Sequence, residues 1–247
     1  MLKKKSIINT IRNASIVGAT VISCWLTPMG KLLALPQEAI VEKLESIPVF
    51  TIADGEGAPL VATDGENGNR RVAGVFISKT DANNFVEQLK QNNPELGSQV
   101  QVIPVSLAEV YEMSEANADQ PNGLRFAYVP RQADVEQARQ LNSEYSGGVP
   151  LFVATAGDDQ GYLTVRQGDQ EFIPFFFEQS QVNALVNSFK QSQPDMADSI
   201  EIEVVVLEGF ISALQQGDDE LLDRIILWPS QESIQFIQEN SPQLQGE

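Results

Sequence analysis

The chain has 247 residues, with 34 Asp+Glu against 16 Lys+Arg and a formal net charge of −18. A chain this acidic repels phosphate backbones and anionic membrane surfaces, which argues against nucleic acid and lipid headgroups as direct partners. There is no His and a single Cys, Cys24, which argues against imidazole-based triads, structural zinc and an internal disulfide framework.

The basic residues gather at the start. Lys3, Lys4, Lys5 and Arg12 precede an apolar stretch, Ala14 to Leu26, that breaks at Thr27-Pro28. This is the form of a secretory signal peptide, and the apolar run is too short to span a bilayer. Residues 1–34 are therefore read as a signal peptide cut after Ala34. Two alternatives stay open: acylation at Cys24, because Val21-Ile22-Ser23-Cys24 has the form of a lipoprotein box, and an uncleaved anchor. Residues 1–34 hold five Lys and Arg and no acidic residue. Removing them lowers 16 Lys+Arg to 11 against 34 Asp+Glu and takes the net charge from −18 to −23. The remaining chain, without thiol or imidazole, is expected to fold with no metal and no cofactor.

Residues 35–46 carry a short amphipathic helix, with Ile40, Val41 and Leu44 at helical spacing after Pro36. Val49 to Ala53 then alternates as a strand that ends at Asp54-Gly55, and Leu60 to Thr63 is its hairpin partner. Val72 to Ile77 is a third strand, apolar on both faces. Thr80-Asp81 caps a helix whose buried stripe is Phe85, Val86 and Leu89, and Pro94 ends it. A strand over 99–105 leads to a helix bearing Leu107, Val110 and Tyr111. A loop over 115–123 leads to a strand over 124–129, and Pro130 opens a helix at its first turn.

The same order then returns. IPVFTIADGEGAPLVAT at Ile47 resembles VPLFVATAGDDQGYLTV at Val149. FISKTDANNFVEQLKQNNPE at Phe76 resembles FFEQSQVNALVNSFKQSQPD at Phe176. LRFAYVPRQADVEQARQLN at Leu124 resembles DRIILWPSQESIQFIQENS at Asp223. The offset stays near 100 across three separated blocks. The chain therefore reads as α+β, an internal duplication of a β-β-β-α-β-α-β-α unit with mixed or antiparallel sheet and helices packed on it. Repeat 1 spans 47–144 and repeat 2 spans 149–242, arranged with pseudo-twofold symmetry as one rigid body. The tail, 243–247, is expected to be disordered.

Little in the chain carries chemistry. A Ser78-Lys79 dyad is replaced in the other copy by Glu178-Gln179, and a solvated strand end explains the pair. Acidic turns at Asp54, Asp64 and Asp158-Asp159 lack the spacing of a calcium loop. Carboxylate pairs for glycoside hydrolysis lack an accompanying aromatic platform. The feature that stands out is Phe172-Ile-Pro-Phe-Phe-Phe177. Pro174 argues for an edge strand, and an edge strand with Phe on both faces must be covered by the other half or by a partner. Alternation places Phe175 and Phe177 on a client-binding face, with Val75 and Ile77 as counterparts, and turns Phe172, Pro174 and Phe176 to the core. The alternative is a fully buried strand with helices over both faces. Arg125 and Arg224, and Pro130 and Pro229, occupy equivalent structural positions.

The blocks IPVFTIAD, GVFISKTDANNFVEQLK, VQVIPVSLAEVYE and VPLFVATAG, with IPFFFEQSQVNALV, resemble the Tic-twenty-two family, over residues from about 40 to 242. The chain looks like a cyanobacterial relative of the component that plants place between the chloroplast envelopes. The resemblance implies an exported protein of the periplasm, with the thylakoid lumen as an alternative, and no catalytic residues. It implies chaperone-like holding of unfolded or precursor proteins in apolar grooves during translocation and outer-membrane biogenesis. The implied partners are those clients and outer-membrane β-barrel assembly components. A structural adaptor of a membrane assembly and a carboxylate-dependent hydrolase are the competing functions.

Overall fold

The computed structural model describes residues 21–22, 35–64, 70–157, 160–217 and 220–240. Of the leader only Val21 and Ile22 are described, so the cleavage site and Cys24 lie outside the described residues, as does the tail. Val21–Ile22 forms a short strand, β1. Helix α1 (Gln37–Glu45) precedes strands β2 (Pro48–Asp54), β3 (Val61–Asp64) and β4 (Arg70–Phe76). Helices α2 (Lys79–Asn92) and α3 (Pro94–Gly97), strand β5 (Val100–Ser106), helix α4 (Leu107–Asn117), strand β6 (Leu124–Val129) and helix α5 (Gln132–Leu141) follow. The second half runs β7 (Pro150–Ala156), β8 (Gly161–Leu163), β9 (Val165–Gln167), β10 (Gln170–Phe176) and α6 (Gln179–Ser192). It ends with β11 (Glu201–Val206), α7 (Leu207–Gln216), β12 (Ile225–Trp228) and α8 (Gln231–Asn240).

The chain divides into two compact units, and the division does not follow the linear order. One unit holds residues 37–135 together with α8; the other holds residues 136–230 with β1. The chain changes unit inside α5, between Val135 and Glu136, and again between Ser230 and Gln231. The helix that ends the second half therefore packs on the first sheet. Phe236 meets Phe50 edge to face at 5.4 Å, and Ser233 Oγ donates to the carbonyl of Pro48. The sequence reading placed α8 with repeat 2, because sequence similarity follows the chain and cannot report which sheet a helix covers.

The first unit is built on a five-stranded mixed sheet. β2 pairs antiparallel with β5 and β4, and β4 pairs parallel with β6. Phe50, Ile52 and Phe76 form the core of one face with Ala82 and Val86 of α2 and with Phe236. Asp54 Oδ1 accepts from the N–H groups of Glu56 and Ala58, which fixes the turn after β2. The chain then leaves β2 after a single bridge between Ala53 and Pro59, and β3 pairs with β4 instead of β2.

The second sheet has the same central pairings: β7 with β11 and β10, and β10 parallel with β12. The registers agree as well. Phe50 faces Phe76 and Phe76 faces Val129; Phe152 faces Phe176 and Phe176 faces Trp228. Leu107 N donates to the carbonyl of Ile47 at 2.8 Å, and Leu207 N donates to that of Val149 at 2.8 Å. Leu107 and Leu207 thus start equivalent helices, α4 and α7.

Several local expectations change. Ser78, not Thr80 or Asp81, caps α2, because its hydroxyl accepts from Asp81 N. The buried stripe of α2 is Ala82 and Val86, while Phe85 is 42% exposed and rests against Phe76. α5 and α8 begin two residues after Pro130 and Pro229. Arg224 pairs with Glu171, whereas Arg125 reaches the carbonyl of Ala118. β10 is a central strand, not an edge. Its registered pairs on the side of β7 and β9 stop at Phe172 and resume at Phe176. Pro174 falls in that gap, where the N–H it lacks is not needed by the ladder.

Candidate functional site

The four residues read from the sequence as a client-binding face do not form one. Phe175 is 4% exposed and Phe177 2%, and Val75 and Ile77 are equally buried. α7 packs over the face of β10 that bears Phe175, and α6 also contacts the strand. Phe175 packs on Phe210 of α7 with ring centroids 5.6 Å apart and on Tyr162 of β8 at 6.4 Å. On the opposite face Phe176 meets Trp228. The fully buried alternative describes this strand, as a continuous apolar run predicts.

Val75 nevertheless belongs to a cavity. It lies in the first unit, between the sheet and α4, and holds about 380 Å³. Thr51, Val75, Ile103, Val105 and Phe126 form its floor. Register places Thr51 beside Val75 and Ile103, so the alternation of three adjacent strands aims these side chains to one face. Val110 and Met113 of α4 close one side, with Glu109 and Glu112 at the same helix, and Gly57 and Pro59 close the end. Gly57 holds φ +87, a left-handed conformation that favours glycine, and so permits the turn at that end.

α4 stands over this face for local reasons. Ser106 Oγ accepts from Glu109 N and Glu109 Oε2 accepts from Ser106 N, a reciprocal capping box at its first turn. Its buried residues Leu107, Ala108, Val110 and Tyr111 pack inward, while Met113 remains 39% exposed. Two polar groups of the lining are already engaged: Thr51 Oγ1 donates to the carbonyl of Gly74 at 3.0 Å, and Glu109 Oε2 is held in the cap. What the cavity presents is apolar wall, a thioether and an acidic border, the chemistry of a receptor for an apolar side chain. Sequence reasoning found Val75 but missed Pro59, Ile103, Val110, Met113 and Phe126. The period of α4 gave Val110 as core, and nothing in the sequence shows that the volume above it is unfilled.

The remaining polar cluster of this unit is structural. Glu232 Oε1 accepts from Thr80 N at 2.9 Å and from Thr80 Oγ1 at 2.6 Å, tying α8 to the first turn of α2. Burial pushes its pKa up, but hydrogen bonds from Thr80 and Ser78 side chains and from the backbone of Thr80 and Lys79 outweigh that and hold it below the usual range. Asp81 is raised, by burial first and by the nearby Glu232 charge second, with Arg131 opposing. Both carboxylates sit at the start of α2, where anions complement the helix dipole. Among the described residues no group of three or more His, Cys, Asp or Glu is arranged to hold a metal ion, and no helix is long and apolar enough to cross a membrane.

A family model described as the Tic22-like family matches residues 7–239. The chain belongs to the Tic22-like family. Its solved relatives include Anabaena Tic22, a protein of protein transport, at 26% identity and TM-score 0.73, covering 83% of this chain and 97% of that one. Tic22 from Plasmodium falciparum shares the fold, with TM-score 0.66 and 19% identity over 81% of this chain and 96% of that one. Protein TIC 22, chloroplastic, of Pisum sativum is 19% identical over 229 residues, 91% of this chain and 86% of that protein. The Arabidopsis thaliana protein of the same name is 21% identical over 162 residues, 64% and 56% of the two chains. The α+β fold with mixed sheets and packed helices is the Tic22 fold.

Proposed function

We propose that this Tic22-like protein is an exported, non-enzymatic factor of protein transport that holds unfolded precursors by their apolar side chains. The cavity between α4 and the first sheet carries the reading: its wall is apolar, it opens beside an exposed Met113, and Thr51 and Glu109 in its lining are hydrogen-bonded within the protein. Family membership and the Anabaena relative in protein transport support it. The basic and apolar leader supports export to the periplasm, where outer-membrane precursors and their assembly components are the fitting partners. The acidic surface keeps such a protein soluble while it presents apolar surface. The matched registers of the two sheets, and their matched helix starts, support descent of the two halves from one duplicated unit.

The test is suppression of aggregation. A denatured outer-membrane barrel protein is diluted into buffer with and without the protein while light scattering is followed. The wild type suppresses scattering, and Met113→Asp, on the exposed side of α4, loses most of that effect while its thermal unfolding stays close to wild type. A folded wild type without any effect on scattering would favour the adaptor function.

A further inference from the structure

Among the matched positions at which the two units differ, three carry aromatic rings in the second unit and line the cavity in the first. The first is on the sheet: Val75 is followed by Phe76 in the register with Phe50, and Phe175 is followed by Phe176 in the register with Phe152. The second is on the helix: Val110 and Phe210 each lie three residues after the equivalent Leu107 and Leu207. The third is at the sheet end: Pro59 bridges Ala53, and Tyr162 pairs Thr155, which continues β7 as Ala53 continues β2. Pro59, Val75 and Val110 all line the open cavity. Tyr162, Phe175 and Phe210 are in ring contact with one another through Phe175.

We infer that the cavity of the first unit is a receptor for one large apolar side chain, aromatic in type, carried next to a cationic residue on a partner polypeptide. The inference rests on the holding function proposed above and specifies its ligand and its place. The second unit supplies its own aromatic rings where the first leaves room, so client recognition is confined to the first unit's sheet and α4. The rings of the second unit also set the kind of occupant, because the same sheet and helix geometry accommodates phenyl groups there. Charge sets the neighbour: Glu109 and Glu112 border the cavity on a chain of net charge −18, which favours Lys or Arg beside the inserted group and repels acidic segments. The ligand enters by side chain and not as an added strand. β5, which lines the cavity and pairs with β2 alone among the described strands, carries Pro104 at its centre and offers no N–H there.

The experiment uses the full chain labelled with carbon-13 at the methionine methyl groups, titrated with a short peptide bearing one Phe between two lysines. The Met113 signal should shift saturably and that of Met196, in the other unit, should not. Replacing the Phe by Ala should weaken binding about tenfold or more, as loss of one buried phenyl group does, and replacing the lysines by Glu should weaken it further. Val75→Phe with Val110→Phe, and Val110→Phe alone if the pair fails to fold, should abolish the shift. Equal binding of the Ala peptide, a shift at Met196 alone, or full binding by a folded ring-filled variant would overturn the inference. The aggregation assay run beside it separates the two levels. A wild type that suppresses aggregation but ignores the Phe peptide refutes this ligand assignment and leaves the holding function standing. One that binds the peptide at Met113 but does not suppress aggregation supports the assignment and removes the holding function.

Discussion

Two sheets with the same central strand pairings and the same central registers differ in what stands between sheet and helix. In the first unit Val75, Val110 and Pro59 leave about 380 Å³ unfilled. In the second, Phe175, Phe210 and Tyr162 occupy the matched positions with three aromatic rings in contact. Matched sheet and helix positions thus border an open volume in one unit and a cluster of rings in the other. A cavity has a cost, since its lining forgoes dispersion contacts. The rings of the second unit show that such sheet and helix positions can be filled, and at the third position the backbone differs too, because β8 pairs with β7 whereas the first unit has only the bridge at Pro59.

The sharpest way to break this comparison is to charge the filled side. Phe175→Asp with Phe177→Asp places two carboxylates where the native side chains are almost wholly buried, and desolvating an unpaired charge costs several kcal/mol. We expect the second unit to unfold, seen as loss of near-ultraviolet circular dichroism, and a folded double variant would show that β10 is accessible after all. Truncation within the two units comes next. Phe210→Ala should cost about 3–5 kcal/mol by denaturant unfolding, as should Phe176→Ala, while Val110→Ala at the cavity wall should cost on the order of 1–2 kcal/mol. Equal losses for Phe210→Ala and Val110→Ala would mean that the first unit is packed as tightly as the second.

The helices on the other faces sharpen the contrast by a smaller step. Leu185 of α6 is 2% exposed and Phe85, at the matched position of α2, is 42% exposed. Leu185→Ala should cost about 2–5 kcal/mol. Phe85→Ala should stay under about 1 kcal/mol, the range of an exposed substitution. The smallest effect concerns pH. Glu232 is held below its ordinary pKa, so the stability it contributes is present above the ordinary glutamate range and is lost as pH falls through the lowered value. Asp81 is raised, so its contribution has the opposite sign and fades as pH rises through the raised value. Glu232→Gln should therefore flatten the acid limb of the first unit's stability and leave neutral stability modestly lower, read from unfolding midpoints across the acid range. An unchanged acid limb would show that Thr80 and Glu232 do not hold α8 in solution.

The sequence carried the order of strands and helices because burial imposes periods of two and of 3.6 that residues display directly. It carried the matched pairs Phe76 and Phe176, whose registers agree. It misled at Pro174, where a proline suggested an edge and the ladder instead has a gap. It misled at Phe85, whose apolar character hid an exposed position on α2. Phe175 and Phe177 looked available because alternation separates two faces without saying what lies above each; Phe210, thirty-five residues after Phe175 in the chain, is what lies above one. The cavity was illegible for the same reason. It is made by the small size of Pro59, Val75 and Val110 at positions that meet only in three dimensions, and a valine in a strand or helix reads as core whether or not its neighbour fills the space.

The measurement that tests the central claim most directly places a photoreactive side chain at Met113 of α4 and, in a separate variant, at Ala213, the matched position of α7. Each is irradiated with a denatured outer-membrane barrel protein. The comparison of the two units predicts strong crosslinking from position 113 and little from position 213, with the signal from 113 lost when Val75 and Val110 are both changed to Phe. Equal crosslinking from both helices, or crosslinking from 213 alone, would contradict it.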